Sequence, residues 1–565
     1  MVNLSISHLN MFSLNALLSR RPLVLFIALA AVVFLFTVHS SGVASVKGSA
    51  AAWSASAPGL AGLVSHNSKL AELRKVCGGP DPLEEKYGRA NLRMTRAYEG
   101  SLARTQQFVN KILRGEKVTV TTIGGSVTKG HGVDAGEKWL NRLEEWLRDF
   151  YPDIDLDVHN GAQPATGSDY FSFCFPLHVP EETDLVIIEL AINDEGIPEH
   201  VNDMENLLRG VLDMPSKPAV LLVEILAFSN GGMGGGGGRM HLPVAQFFDV
   251  PVINHRHPLA NHFDRFPHIM PLYFTRDGWG NTDMRHINAR GHQDVANLIS
   301  SLLRDTSCSM VLDPNFMVQS DGDRHEFVEN LPNKLFHQQL EAEYGADMAR
   351  QEQALKALES GWAEEQRSFV ATPPRPKKED DDDEEPPEPE PVFYPGMWNR
   401  PPEYGVAPRQ YVLDGWNDNV AVRVPPWHPH CYSTRAVEPK FNLTMTASKG
   451  FDWWVHNDFK DKPYLRGTKP GDSVEFEIET VVGTIKMYVL MSKTFGFGIL
   501  QCQVEGKKDK VDIDTYWTKD PNIGRFATIA EGLPAGKHTV KCEILDESSD
   551  PELRTEVRII SLMSV

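Results

Sequence analysis

Four short stretches carry side chains that can do chemistry on an acyl group. The first is Thr122-Ile123-Gly124-Gly125-Ser126-Val127-Thr128, a hydroxyl directly after a β-branched run and two glycines. Glycine permits a sharp turn, which would present Ser126 at the carboxyl end of a sheet, where α/β folds bind ligands. The second is Asp283-Met284-Arg285-His286. An aspartate three residues before a histidine, on one turn, can take a ring N–H and leave the other ring nitrogen free to accept a serine proton. The third is the loop Asn160 to Ser168, and the fourth is Ala191-Ile192-Asn193-Asp194. A glycine N–H, an asparagine amide and the serine's own N–H would make a three-donor oxyanion hole.

Each block alone is common. Their order, Gly-Gly-Ser, Gly-containing loop, x-x-Asn-Asp and late Asp-x-x-His over about 200 residues, resembles the SGNH hydrolases, a branch of the GDSL esterase and lipase superfamily. That resemblance implies Ser126 as nucleophile, His286 as general base and then acid, and Asp283 as its orienter. It further implies an oxyanion hole from the Ser126 N–H, the Gly167 N–H and the Asn193 amide, on a flavodoxin-like three-layer α/β/α fold. The chain departs from the family pattern in three places. Gly-Asp-Ser-Leu is here Gly-Gly-Ser-Val, the glycine two before the asparagine is Ala191, and the long second block lets Gly161 compete with Gly167. The variants look most like the membrane-anchored, capsule-associated SGNH proteins of fungi and algae.

The elements that must position these residues can be read around them. Lys117 to Ile123, Asp155 to Val158, Asp184 to Leu190 and Ala219 to Leu226 read as buried strands. Trp139, Leu143, Trp146 and Phe150 recur at helical spacing, and Ala289 to Leu303 reads as a closing amphipathic helix. Strands separated by helices imply a parallel sheet covered on both faces. After residue 470 the pattern changes to six runs with turn residues between them: 473–479, 484–490, 499–504, 525–529, 537–544 and 556–562. This spacing predicts an antiparallel β-sandwich.

The 565 residues exceed one ordinary core. The net charge of -20 argues against nucleic-acid binding, and nine acids of the excess lie between Glu379 and Glu390. Pro22 to Val38 is free of charge, follows Arg20-Arg21, and at 1.5 Å per residue spans roughly 25 Å. It reads as an anchor with a cytosolic N-terminus and everything later in a lumen, the Golgi by preference; a cleaved signal peptide is the rival reading. The expected organisation is a cytosolic tail at 1–21, a transmembrane signal anchor at 22–38, a stem at 39–84 and the catalytic α/β domain at 85–310. A partly helical spacer at 311–370 and an acidic, proline-rich linker at 371–404 follow. Residues 405–565 form the sandwich, with carbohydrate binding as a candidate role.

All six cysteines follow the apolar run, where disulfides persist. Three precede the acidic linker and three follow it, so either each half keeps a thiol or an odd number of bridges joins them. Cys77 and Cys308 bracket the first domain as a candidate staple. No C-x-x-C is present, which argues against zinc, and no cofactor is expected. Asn442-Leu443-Thr444 is a glycosylation triplet. Gly231 to Gly238 reads as a loop rather than a phosphate cradle, and the histidines at 255, 257, 262 and 268 match no closed metal pattern. His292 reads as a first-turn helix residue, and Glu189, Asp194 and Glu195 as solvated or structural. Adjacent Trp453 and Trp454 must face opposite ways on a strand, leaving one exposed for a sugar.

These features favour an esterase or O-acyltransferase acting on acetyl-type esters of a glycan or polysaccharide. The competing expectation is a silent scaffold of the same fold that binds or assembles polysaccharide.

Overall fold

A computed structural model describes residues 70–229, 236–314, 412–413, 426–457, 460, 462–519 and 522–565. The expected anchor, most of the stem, the spacer and the linker lie outside the described residues. No described helix is long and apolar enough to cross a membrane.

The first half is built in order from α1 (Pro82–Tyr87), α2 (Arg89–Met94), β1 (Arg96–Tyr98), α3 (Ala103–Leu113), β2 (Val118–Gly124), α4 (Ser126–Lys129), α5 (Trp139–Phe150), β3 (Leu156–Asn160) and α6 (Ser168–Cys174). It continues through β4 (Leu185–Glu189), α7 (Pro198–Leu212), β5 (Ala219–Glu224), α8 (Gly238–Phe247), β6 (Val252–Asn254), α9 (Arg256–Arg265), β7 (Phe274–Arg276), β8 (Thr282–Ile287) and α10 (Ala289–Leu312). The sheet order is β1-β6-β5-β4-β2-β3, with β1 antiparallel at the edge. The other five strands are parallel. Their order is that of a flavodoxin-like doubly wound sheet, whose topological switch lies between β2 and β4. β2, β4 and β5 are buried along their whole length, as strands covered on both faces must be. On one face α5 buries Trp139, Leu140, Leu143, Leu147 and Phe150 as a single stripe.

The folded unit begins earlier than residue 85. Leu73, Cys77 and Leu83 are buried in the α/β core, and Cys77 is bonded to Cys308, so the end of the expected stem belongs to the domain. The closing helix also runs nine residues further than its amphipathic pattern suggested, to Leu312. Its last turns carry Cys308, Met310 and Val311 into that same core.

Among the described residues, the second half is β-strands with one short helical turn at Pro439–Phe441. Its strands are β9 (His430–Ser433), β10 (Ala447–Lys449), β11 (Asp452–Val455), β12 (Pro463–Gly467), β13 (Ser473–Thr480), β14 (Ile485–Met491), β15 (Ile499–Val504), β16 (Val511–Asp514), β17 (Ile523–Ala530), β18 (Gly536–Ile544) and β19 (Val557–Ser564). One antiparallel sheet runs β10-β13-β18-β15-β16; the other runs β11-β12-β19-β14-β17, with β9 also on β19. Alternate residues of β13, Val474, Phe476 and Ile478, turn inward with Leu500, Val540 and Ile559 to form the core between the sheets.

The described residues of the two halves are packed together rather than strung apart, within one compact unit. Phe171, Phe173, Trp427, Tyr488 and Met563 share one buried cluster. The Trp427 indole N–H donates to the Ser172 carbonyl at 2.6 Å, and Lys486 Nζ lies 4.8 Å over the Phe173 ring. Cys174 of α6 is bonded to Cys431 of β9, so one bridge joins the halves, while Cys502–Cys542 lies within the sandwich. No described cysteine is free.

Candidate active site

Ser126 opens the short helix that follows β2. The two glycines before it are required by close approach. A Cβ on Gly124 would lie 2.5 Å from Thr128 Oγ1 and 2.8 Å from the Glu189 carbonyl, and one on Gly125 would lie 2.3 Å from Asn193 Oδ1. The chain can therefore pass between β4 and the Asn193 side chain and turn out at Ser126, beside the switch point.

Ser126 Oγ is 2.7 Å from His286 Nε2, and His286 Nδ1 is 2.5 Å from Asp283 Oδ2. The Asp283/His286 pair does not lie on a helical turn. Both residues are on β8, where side chains three apart should face opposite ways. A bulge removes the conflict: Phe274 pairs with Ile287 and Thr275 with Asp283, so extra residues of β8 loop out between the two pairs. Asp283 Oδ1 accepts the Arg285 N–H at 2.9 Å, which bends the strand and brings the imidazole back over the carboxylate. Phe228 N–H donates to the Met284 carbonyl and Arg285 Nε to Ser229 Oγ, tying the bulge to the exit from β5.

Burial pulls the His286 imidazole below its ordinary value, and the Asp283 hydrogen bond offsets part of that fall. Burial pushes the Asp283 carboxyl up, but bonds from His286 and the Arg285 amide outweigh it and hold the group below its usual range. At neutral pH the arrangement is an ionised carboxylate, a neutral imidazole and a serine hydroxyl in line.

The Ser126 amide is the first N–H of its helix, one of the four that a helix leaves without an internal partner. Asn193, after β4, lies against Gly125, and Gly167 caps α6. Gly161 is withdrawn from the contest for the third donor. Its N–H is spent on the Thr122 carbonyl at 2.8 Å, as an extension of the β2–β3 ladder. The Gly167 backbone is held from below: Asp194 Oδ1 accepts the Ser168 N–H at 2.8 Å, while its Oδ2 meets His241 Nε2 at 2.7 Å.

Two neighbours of the site had no signal strong enough to be singled out in the sequence as parts of it. His131 follows Gly130, donates its N–H to the Ser126 carbonyl and sets its ring 4.3 Å from that of His286. His131, Asp283 and His286 present three ligand atoms within 4.8 Å of one another, the grouping among the described residues that could hold a metal ion. Glu189 is fully buried beneath the Ser126 turn, where Thr128 Oγ1 donates to Oε2 at 2.8 Å. Burial pushes its carboxyl up to about 8 despite the backbone N–H groups of Gly125 and Thr128. It is structural, not solvated.

The remaining expectations divide. His292 sits in the first turn of α10, buried, and accepts the Trp139 N–H at 3.1 Å. His255 is buried against the Tyr273 hydroxyl and is not grouped with His257, His262 and His268 as ligands. Gly238 opens α8, and Gly237 packs against Asp194. Asn442 is exposed, as glycosylation needs. Trp453 is 49% exposed, whereas Trp454 is covered by the guanidinium groups of Arg466 and Arg558.

No protein-family model and no curated protein matches this sequence. Among solved structures, an acetylxylan esterase from Geobacillus stearothermophilus, in a catalytic-mutant form, aligns with 33% of this chain and 94% of its own at 14% identity and a TM-score of 0.27. A two-domain esterase active on acetylated mannans aligns in its uncomplexed form over 84% of this chain and 98% of its own. Co-crystallised with mannopentaose, it covers 84% and 97% at 17% identity with a TM-score of 0.53. The α/β sheet with an attached antiparallel β-domain is thus a fold this chain shares with a two-domain esterase.

Proposed function

We propose that this chain is a glycan O-acyl esterase of the SGNH type that works through Ser126, His286 and Asp283. The observation that carries the reading is the unbroken line from Ser126 Oγ to His286 Nε2 at 2.7 Å and from His286 Nδ1 to Asp283. In the first step His286 Nε2 takes the Ser126 proton as Oγ bonds to the acyl carbon. The oxyanion so formed is met by the Ser126 and Gly167 amides and the Asn193 side chain. His286 then passes its proton to the departing sugar oxygen and the C–O bond breaks. Water, deprotonated by His286, then bonds to the acyl carbon; the bond from that carbon to Ser126 Oγ breaks, the acid leaves, and His286 returns the proton to Oγ. Ser126 and His286 are only partly buried, which gives water a path to the acyl carbon.

The activity of the two-domain esterase on acetylated mannans supports an acetylated polysaccharide as substrate. The same proposal keeps 22–38 as a membrane anchor with the enzyme on the lumenal or outer side. The three disulfides support an oxidising compartment.

The test is release of p-nitrophenol from p-nitrophenyl acetate by the purified full-length chain in detergent. Ser126→Ala is expected to lower the rate by at least about 10³-fold. An unchanged rate in that variant would remove Ser126 from the chemistry.

A further inference from the structure

The most exposed tryptophan among the described residues is Trp279, at 91%. It stands at the tip of the turn 277–281 between β7 and β8, with no ring contact among the described residues. An indole left in water forgoes the burial that normally places tryptophan in a core. The backbone beneath it is nevertheless tightly built. Asp277 Oδ1 accepts the N–H groups of Trp279 at 2.9 Å and Asn281 at 2.8 Å, and Asp277 Oδ2 accepts from Asn281 Nδ2 at 3.2 Å. The Asp277 N–H donates to the Asn281 carbonyl, the Gly280 N–H donates back to the Asp277 carbonyl, and Gly280 adopts a φ of 83°. Arg276 Nη1 closes the hairpin on Thr282 Oγ1 at 3.0 Å.

This turn leads straight into the relay. Asp283 is the second residue of β8, four positions after Trp279, so at most about 14 Å of extended chain separates them. The geometry points to Trp279 as a sugar-binding platform beside the catalytic histidine, stacking on a pyranose ring of the same glycan chain whose ester meets Ser126. This deepens the esterase reading and rests on it. A flat, rigid aromatic face with a braced backbone suits the C–H face of a sugar, since little side-chain freedom is lost on contact. Of the other described tryptophans near the surface, Trp517 lies under Lys519 and Arg525 and Trp454 under two arginines; Trp453 is half-exposed but stands on β11 of the β-domain, not on the hairpin that carries Asp283 and His286.

The experiment compares full-length wild type, Trp279→Ala and Trp279→Phe on two substrates, acetylated mannan and p-nitrophenyl acetate. The small ester does not reach the platform, so its kcat/KM should stay within about twofold in both variants. On the polymer, KM should rise roughly five- to tenfold in Trp279→Ala at unchanged kcat, with Trp279→Phe between the two. An unchanged polymer KM, or an equal loss on both substrates, overturns the platform. Weakened binding to phosphatidylcholine vesicles with an unchanged polymer KM would assign the indole to a membrane and overturn it as well. Failure of the esterase reading looks different: wild type itself would show no release of p-nitrophenol that depends on Ser126.

Discussion

Gly125 and Asn193 meet so closely that the glycine's missing side chain is what makes room for the asparagine's amide. Gly125→Ala should therefore fold and keep its serine, yet push Asn193 out of the oxyanion site. The expected result is a fall in kcat of about 10²- to 10³-fold with little change in KM, the pattern of a lost transition-state contact. Steady-state kinetics on p-nitrophenyl acetate would read it.

The pH dependence of kcat/KM should show an acid limb from His286, which must be neutral to accept the Ser126 proton. Burial depresses its pKa, so the limb should lie below about 6.5. Charge on His131 depresses it further. His131→Ala should move the limb to higher pH, and Asp283→Asn, which removes a group that raises the pKa, to lower pH. Opposite displacements from two neighbours of one imidazole would be hard to obtain from a general loss of structure.

Glu189 makes a prediction about stability. Its carboxyl keeps its proton in the folded chain up to about pH 8, against an ordinary value of 4.5 once unfolded. Between those limits the unfolded state has lost a proton that the folded state retains. The group's stabilising contribution is complete below the lower limit and declines by about 1.4 kcal/mol per pH unit towards the upper one. Glu189→Gln mimics the protonated form without titrating. Its thermal unfolding should lose that component of the slope, and an identical slope in both proteins would contradict the buried neutral acid.

Much of this site could be read in order along the chain, because Gly124, Gly125, Asn193 and Asp283 are restricted by contacts close to them in sequence or at strand ends. Strands β4 and β5 were equally plain, being nearly continuous apolar runs buried along their length. The β7–β8 hairpin was not. Thr282 to Ile287 alternates poorly, and its bulge depends on the Asp283–Arg285 bond and on Phe228, more than fifty residues away. His131 was missed because Lys129-Gly130-His131-Gly132 has no periodicity. The one available signal was the flanking glycine pair, both with positive φ. The odd count of cysteines in each half correctly left open a bridge between them, but only packing identifies Cys174 and Cys431 as its ends.

That bridge supplies a test of its own. Proteolysis at the acidic residues between Glu379 and Glu390 should leave one species on a non-reducing gel and release two fragments on reduction. Two fragments without reductant would rule out the Cys174–Cys431 bond.

The same bond imposes a schedule on biosynthesis. Cys174 emerges from the ribosome 257 residues ahead of Cys431, and at 5 to 20 residues per second that interval lasts roughly 13 to 50 s. Cys308 arrives within it. A nascent α/β half thus spends that interval with Cys174 waiting beside Cys77 and then Cys308, and a mispair of Cys174 with either must be undone before β9 can receive its bridge.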